Sequence, residues 1–347
     1  MAYTDIDKPS DYFNTKLYTG TGGTQAITGV GFQPDWVWLK ARSSAYSHQL
    51  FDVVRGATKL LSSEETSAEQ TLSGVTAFGS DGFTVGSDAG SNNNTTTFAS
   101  WNWKAGTSFT NDASATGIGT IDSTGSVNTD AGFSIVSYTG NATTNAKVAH
   151  GLGVAPSMMI VKKRNGAFNW GIYHKSLTAH KLLAFTTGAP DDDASYWNDV
   201  EPTSSVFNLG SGALTNGSGS TMIAYCFAEK QGYSKFGSYT GNGNADGTFV
   251  YTGFKPAFVM VKQTNTARYW AMFDNKRDGL NPTNRPLFPN ASDQESDSVN
   301  YYHDILSNGF KWRTNSNIMN VSGGTYIYMA FAENPFTTST GVPATAR

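Results

Sequence analysis

The sequence predicts an all-β fold: three tandem antiparallel β-sandwich (jelly-roll-like) domains related by internal duplication. Composition is the first observation. Gly accounts for 37 of 347 residues, aromatic residues for 13% and charged residues for only 15%. Ordinary globular domains carry roughly 25% charged residues. This mixture suits short strands joined by many turns, and its aromatic content argues against disorder. The second observation is a proline-led apolar segment that occurs three times: Pro34 leads into Trp36-Val37-Trp38-Leu39-Lys40, Pro156 into Met158-Met159-Ile160-Val161-Lys162, and Pro256 into Phe258-Val259-Met260-Val261-Lys262. The third is that the landmarks around it keep their spacing. The prolines are 122 and 100 residues apart, as are Lys40, Lys162 and Lys262, and Asp52, His174 and Asp274.

Each repeat opens on a Tyr-Thr-Gly triplet at Tyr18, Tyr138 or Tyr239, and closes on an aromatic run around Trp101, Tyr225 or Met329. The boundaries fall near 13–106, 132–231 and 232–336. Units of about 100 residues are too long for solenoid repeats but large enough for domains with their own cores. Segment 107–131 is rich in Gly, Ser and Thr and reads as a linker or a surface excursion. As a linker it would let the first repeat orient separately, whereas repeats two and three join directly.

Within a repeat, the segment after the proline has the β-branched and aromatic content of a strand, with proline tolerated at its start. Trp36 and Trp38 share a parity with Lys40, and Val37 and Leu39 take the other, which leaves two assignments of the inner face open. Asp81-Gly82 and Asn308-Gly309 mark tight turns. Segment 58–72, with Leu60, Leu61 and Leu72, is the one stretch of helical character. A β-barrel of the same strands is the alternative architecture.

Charge excludes some function classes. Lys+Arg of 24 against Asp+Glu of 27 gives net −3, with no basic run, so nucleic acid is not an expected partner. No apolar stretch approaches the roughly 20 residues of a membrane-spanning helix, and the first residues lack the pattern of a secretory signal. The lone Cys226 precludes an intrachain disulfide and sits in an apolar strand, where a buried thiol is the ordinary case.

No nucleophile elbow, zinc spacing or phosphate loop is present, so neither catalytic residues nor cofactors are expected. Asp52, His174 and Asp274 occupy one landmark and can all accept hydrogen bonds, which suggests a shared polar role beside the sheet. Asp191, Asp192, Asp193 and Asp199 form a weak candidate loop for a divalent cation without the EF-hand pattern. Asp293, Glu295 and Asp297 alternate in a second acidic loop. Tyr196 and Trp197 follow three aspartates in a variable loop and are the candidate contact for a glycan or receptor.

The sequence also resembles a family found in bacteriophages, especially marine and cyanobacterial phages, and in related prophage regions. The matching text is Gly132-Phe133-Ser134-Ile135-Val136-Ser137-Tyr138-Thr139-Gly140, then His150-Gly151-Leu152-Gly153-Val154-Ala155-Pro156, Met158 to Lys162, and Trp101-Asn102-Trp103-Lys104-Ala105-Gly106. The resemblance covers most of the chain. Members look like virion appendage proteins, placed with tail fibres or other surface structures. It implies a non-enzymatic structural and adhesive role on the virion, with other virion proteins and a host-surface glycan as partners and a trimer by analogy with phage fibres. A capsid-surface decoration is the alternative, and a polysaccharide-degrading appendage a more distant one. No long heptad stretch or collagen-like repeat marks a shaft.

Overall fold

The computed structural model describes residues 3–345. It is an all-β fold of several antiparallel sheets, three of which contain the same run of four strands: two consist of it alone and one, of six strands, includes it. In the first, the leading strand Phe13–Thr19 pairs with the closing strand Thr97–Trp103. That strand pairs with the proline strand Trp36–Ala41, and the outer strand Gln49–Asp52 completes the sheet. The second repeats this order with Phe133–Thr139, Thr221–Phe227, Met158–Lys163 and Gly171–His174. The third does so with Ser234–Thr240, Thr325–Pro335, Phe254–Gln263 and Trp270–Asp274. No helix among the described residues is long and apolar enough to cross a membrane.

The proline strands are buried on both faces, which resolves the parity question. Trp36 and Trp38 face a core shared with the other two sheets, whereas Val37 and Leu39 face a local core with Ile27, Val75, Phe83 and Val85. A small sheet covers each outward face: Gln25–Thr28, Gly82–Val85 and Val75–Gly79 in the first repeat, Ala146–Ala149 and Val206–Leu209 in the second, Phe249–Tyr251, Gly309–Trp312 and His303–Leu306 in the third. The Asp81-Gly82 and Asn308-Gly309 turns connect hairpins of these small sheets, as the sequence predicts.

The shared core draws on all three repeats. Trp103, Phe227 and Phe331, from the three closing strands, meet there with ring centroids 5.7–6.4 Å apart. Trp36 stacks on Tyr225 of the next repeat at 4.3 Å. Removing one such ring would cost about 3–5 kcal/mol and would be felt by three sheets at once.

Three expectations are corrected. Segment 58–72 holds no helix; it carries the short paired strands Lys59–Leu60 and Gln70–Thr71, because its leucines are drawn to two different cores. Segment 107–131 is not a free linker. Thr107–Asn111 and Ser123–Asn128 form a hairpin that adds two strands to the second sheet, and the first repeat shares the central core, so it has no separate orientation. Finally, Pro34 and Pro156 precede their strands by two residues, but Pro256 lies inside one. There the register shifts on both sides of the proline, a bulge that removes the need for its missing N–H.

Candidate functional site

The landmark polar residues lie where one repeat meets the next. Asp52, fully buried, accepts hydrogen bonds from the Arg55 backbone N–H and guanidinium and from the Tyr225 hydroxyl of the second repeat at 2.7 Å. Asp274 is held by Arg277 in the same way and accepts from Trp101 Nε1 of the first repeat at 3.1 Å. His174 donates from Nε2 to the carbonyl of Tyr328 in the third repeat at 3.1 Å, while Nδ1 accepts the Ser176 N–H. The three contacts run from the first repeat to the second, the second to the third, and the third back to the first. Burial pushes the Asp274 carboxyl up, but the Arg277 guanidinium overrides this and holds it below the usual carboxylate range. Burial brings His174 down to about 4, so it is neutral.

The lysine landmark completes the ring. Lys40 Nζ donates to the carbonyls of Ala41 and, in the third repeat, Ser292. Lys162 donates to Glu65 and Thr66 of the first repeat and to Phe168, and Lys262 to Thr187 of the second and to Arg268. Burial lowers all three ammonium groups to about 8. The variable excursion of each repeat is therefore an arm laid over its neighbour's lysine. Each arm is also caught by a ring nitrogen: His48 Nε2 donates to Phe288 O, Trp170 Nε1 to Ser62 O and Trp270 Nε1 to Ala184 O. These three residues are again 122 and 100 apart. Trp38 Nε1 donates to His48 Nδ1, which fixes the tautomer.

Two arms add a carboxylate. Glu69 bridges Arg55 and Arg164, and Glu295 bridges Arg277 and Arg42. Breaking such a buried network costs about 3–5 kcal/mol because one charge is left uncompensated. Glu295, read from sequence as part of an acidic loop, is thus an inter-repeat ion pair. Its neighbour Asp297 pairs with Arg285.

The expected recognition loop is arranged differently. Asp193 caps the short helix Ala194–Trp197, whose single turn carries Trp197 inward until it is 1% exposed in the local core. Trp197 was expected at the surface and presents no face to a ligand. Tyr196 is half-buried, and its hydroxyl donates to Asp191 at 3.2 Å. The aspartates do not converge: Asp192 pairs with Lys181, Asp193 caps the helix, and Asp199 lies 3.3 Å from His180. Among the described residues no three His, Cys, Asp or Glu side chains are grouped to hold a metal.

Cys226 and His150 are also buried. Cys226 is fully buried and burial pushes its thiol up to about 12. His150 donates to Thr203 O and accepts the Leu152 N–H, and burial lowers it to about 4.

One matched set was not singled out from sequence. Asn92, Asn216 and Asn320 are buried and clamp the loop after each Tyr-Thr-Gly triplet. Asn216 donates to Thr143 O and Gly210 O and accepts the Asn141 N–H; Asn92 and Asn320 repeat the pattern. The triplet tyrosines donate to the carbonyl just before each asparagine: Tyr18 to Ser91, Tyr138 to Thr215 and, similarly placed, Tyr239 to Met319. The triplet glycines are required by close approach. A Cβ at Gly20, Gly140 or Gly241 would lie 2.2, 2.5 or 2.3 Å from a backbone carbonyl oxygen.

A family profile described as "Domain of unknown function (DUF7483)" matches residues 8–335. The chain belongs to this family. The single match runs through all three repeats and the hairpin between the first two. No curated protein and no solved structure matches the chain.

Within this DUF7483 chain, the asparagine set has a sequence signal after all. Its members are 124 and 104 residues apart, the spacing of the closing aromatic runs that follow them. The arm contacts have no such signal, because their acceptors are backbone carbonyls in segments of unlike sequence.

Proposed function

We propose that the chain is a non-enzymatic bacteriophage virion structural protein, a tail-fibre or adhesin component that contributes to host-surface recognition. Its three repeats are sandwich-like modules that arose by internal duplication and closed into a ring. The observation that carries this reading is the use made of the buried polar landmarks. Asp52, His174, Asp274 and the three landmark lysines each bind a neighbouring repeat, so they serve to lock a scaffold. A body cross-braced in this way resists shear and carries its variable loops outward, as an exposed particle component must. Other virion proteins, a host-cell glycan and self-association as a trimer are the partners this reading carries.

One observation favours placement on the capsid surface instead. All three main sheets close on one core, and no elongated shaft leaves the described residues. Cryo-electron microscopy of intact particles tests the proposal. Density for this chain at the distal tail supports host recognition, and density on the head supports decoration. Particles that lack the chain altogether overturn both.

A further inference from the structure

The buried charges are committed to partners, but one group of polar side chains at the surface is not. A cavity of about 450 Å³ is lined by Tyr3, Thr4, Asp5, Ile6, Tyr12, Asp130, Lys230 and Gln231. It lies at the end of the shared core where the first repeat begins and the chain enters the second and third. Ile6 belongs to that core, and the half-buried Tyr12 packs against it. The size is in the range of small-molecule sites, roughly 300–1,000 Å³.

Its wall is preformed. Tyr12 packs edge-on against Tyr233 at 6.0 Å, with Lys104 Nζ 5.9 Å from its ring centre. The N-terminal segment that lines the cavity is held in place: Thr4 Oγ1 donates to Gln231 O at 2.8 Å, and the Tyr3 hydroxyl donates to Gly253 O at 2.6 Å. The rim is chemically free. Among the described residues, the side chains of Asp5, Asp130, Lys230 and Gln231 make no hydrogen bond or ion pair, although each borders the same space.

We propose that this cavity is a binding site for a hexopyranose residue, with the sugar ring against the half-buried Tyr12 and its hydroxyls bonded to the rim. The lining selects that class. Two carboxylates repel a phosphate, and Lys230 opposes a simple cation. A wholly apolar ligand would strip water from four polar groups without replacing their hydrogen bonds. A polyhydroxylated ring meets all of them, since its hydroxyls donate to Asp5 and Asp130 and accept from Lys230 and Gln231, while its C–H face covers the aromatic wall. The inference deepens the host-surface reading and rests on it for the source of the sugar. It also moves recognition from the Tyr196–Trp197 loop to the end of the common core.

The test is saturation-transfer NMR of the full chain with the methyl pyranosides of glucose, galactose, mannose and N-acetylglucosamine as probes. At least one should bind, and the double variant Asp5→Asn with Asp130→Asn should bind it at least about tenfold more weakly, with an unchanged unfolding temperature. Asp191→Asn, beside Tyr196, should leave binding intact. Absence of binding by all four probes overturns the proposal, as does loss of binding in Asp191→Asn with retention in the double variant. Particles lacking the chain would remove the host-surface reading without affecting this binding. A particle-borne chain that binds none of the probes would remove this inference alone.

Discussion

Replacing Asp52 by Asn tests whether the first two repeats are energetically joined. The carboxylate is fully buried, pairs with Arg55, and accepts from Tyr225 across the boundary at 2.7 Å. With an amide in its place, the Arg55 guanidinium keeps only Glu69, at 3.3 Å, as a charged partner. Breaking a buried pair in this way costs about 3–5 kcal/mol. Tyr225→Phe removes the hydroxyl that donates to Asp52 and accepts from Arg55, two hydrogen bonds to charged groups at about 1.5–3 kcal/mol each. Because Tyr225 also accepts from Arg55 at 3.2 Å, the two substitutions share partners. The double variant should therefore lose about 1–2 kcal/mol less than the sum of the singles, a coupling typical of residues in one network. Urea unfolding at pH 7, followed by tryptophan fluorescence and circular dichroism, measures all four proteins. Additivity within about 0.5 kcal/mol, or an early transition confined to one repeat in Asp52→Asn, would refute the reasoning.

Lys162→Met should destabilise by about 3–5 kcal/mol, since three carbonyls lose a charged donor, and chemical denaturation reads the loss. Asn216→Ala should cost about 2–4 kcal/mol through its three clamp bonds, and Gly140→Ala should be at least as disruptive because its Cβ meets the Gly217 carbonyl. Stability should fall as pH drops from about 6.5 towards 4. His150 and His174, with folded values of about 4, stay neutral while the unfolded chain takes up their protons, a loss of about 3 kcal/mol each at the lower end. His48, which burial holds well below its ordinary value, adds to the loss, whereas Asp35, raised by burial to about 6, and Glu64, also raised by burial, oppose it by taking up their protons earlier in the folded state. A thermal-unfolding series across that range that shows a flat or rising midpoint would contradict the assignment. The Cys226 thiol should stay unreactive towards a disulfide reagent in the native protein and react fully in denaturant.

The repeat landmarks in the sequence marked three strands in each main sheet, because Tyr-Thr-Gly, proline and the aromatic run each stand at one of them; the outer strands that end at Asp52, His174 and Asp274 carried only a polar landmark and were not read as strands. The strand faces were harder to assign. Trp36 and Val37 are both buried, so alternation carries no inside-or-outside information when a second core lies behind the sheet. That same second core is why three independent domains were the natural expectation from 100-residue units. Segment 58–72 looked helical because Leu60 and Leu61 stand beside glutamates, yet Leu60 joins a local core and Leu61 the shared one. Trp197 was misplaced for a related reason. The aspartates before it do mark the surface, but Asp193 starts a helical turn that rotates the next aromatic inward. The hexopyranose cavity was illegible, since its lining comes from three separated stretches of chain.

The account stands on the claim that the three repeats form one cooperative body around a shared core. Differential scanning calorimetry of the full chain measures this most directly. One transition is predicted, with calorimetric and van't Hoff enthalpies equal and, at about 0.7 kcal/mol per residue for 347 residues, a total near about 240 kcal/mol around 60 °C. A calorimetric enthalpy about three times the van't Hoff value, or resolved transitions of about 70–80 kcal/mol each, would show three repeats unfolding independently and would contradict it.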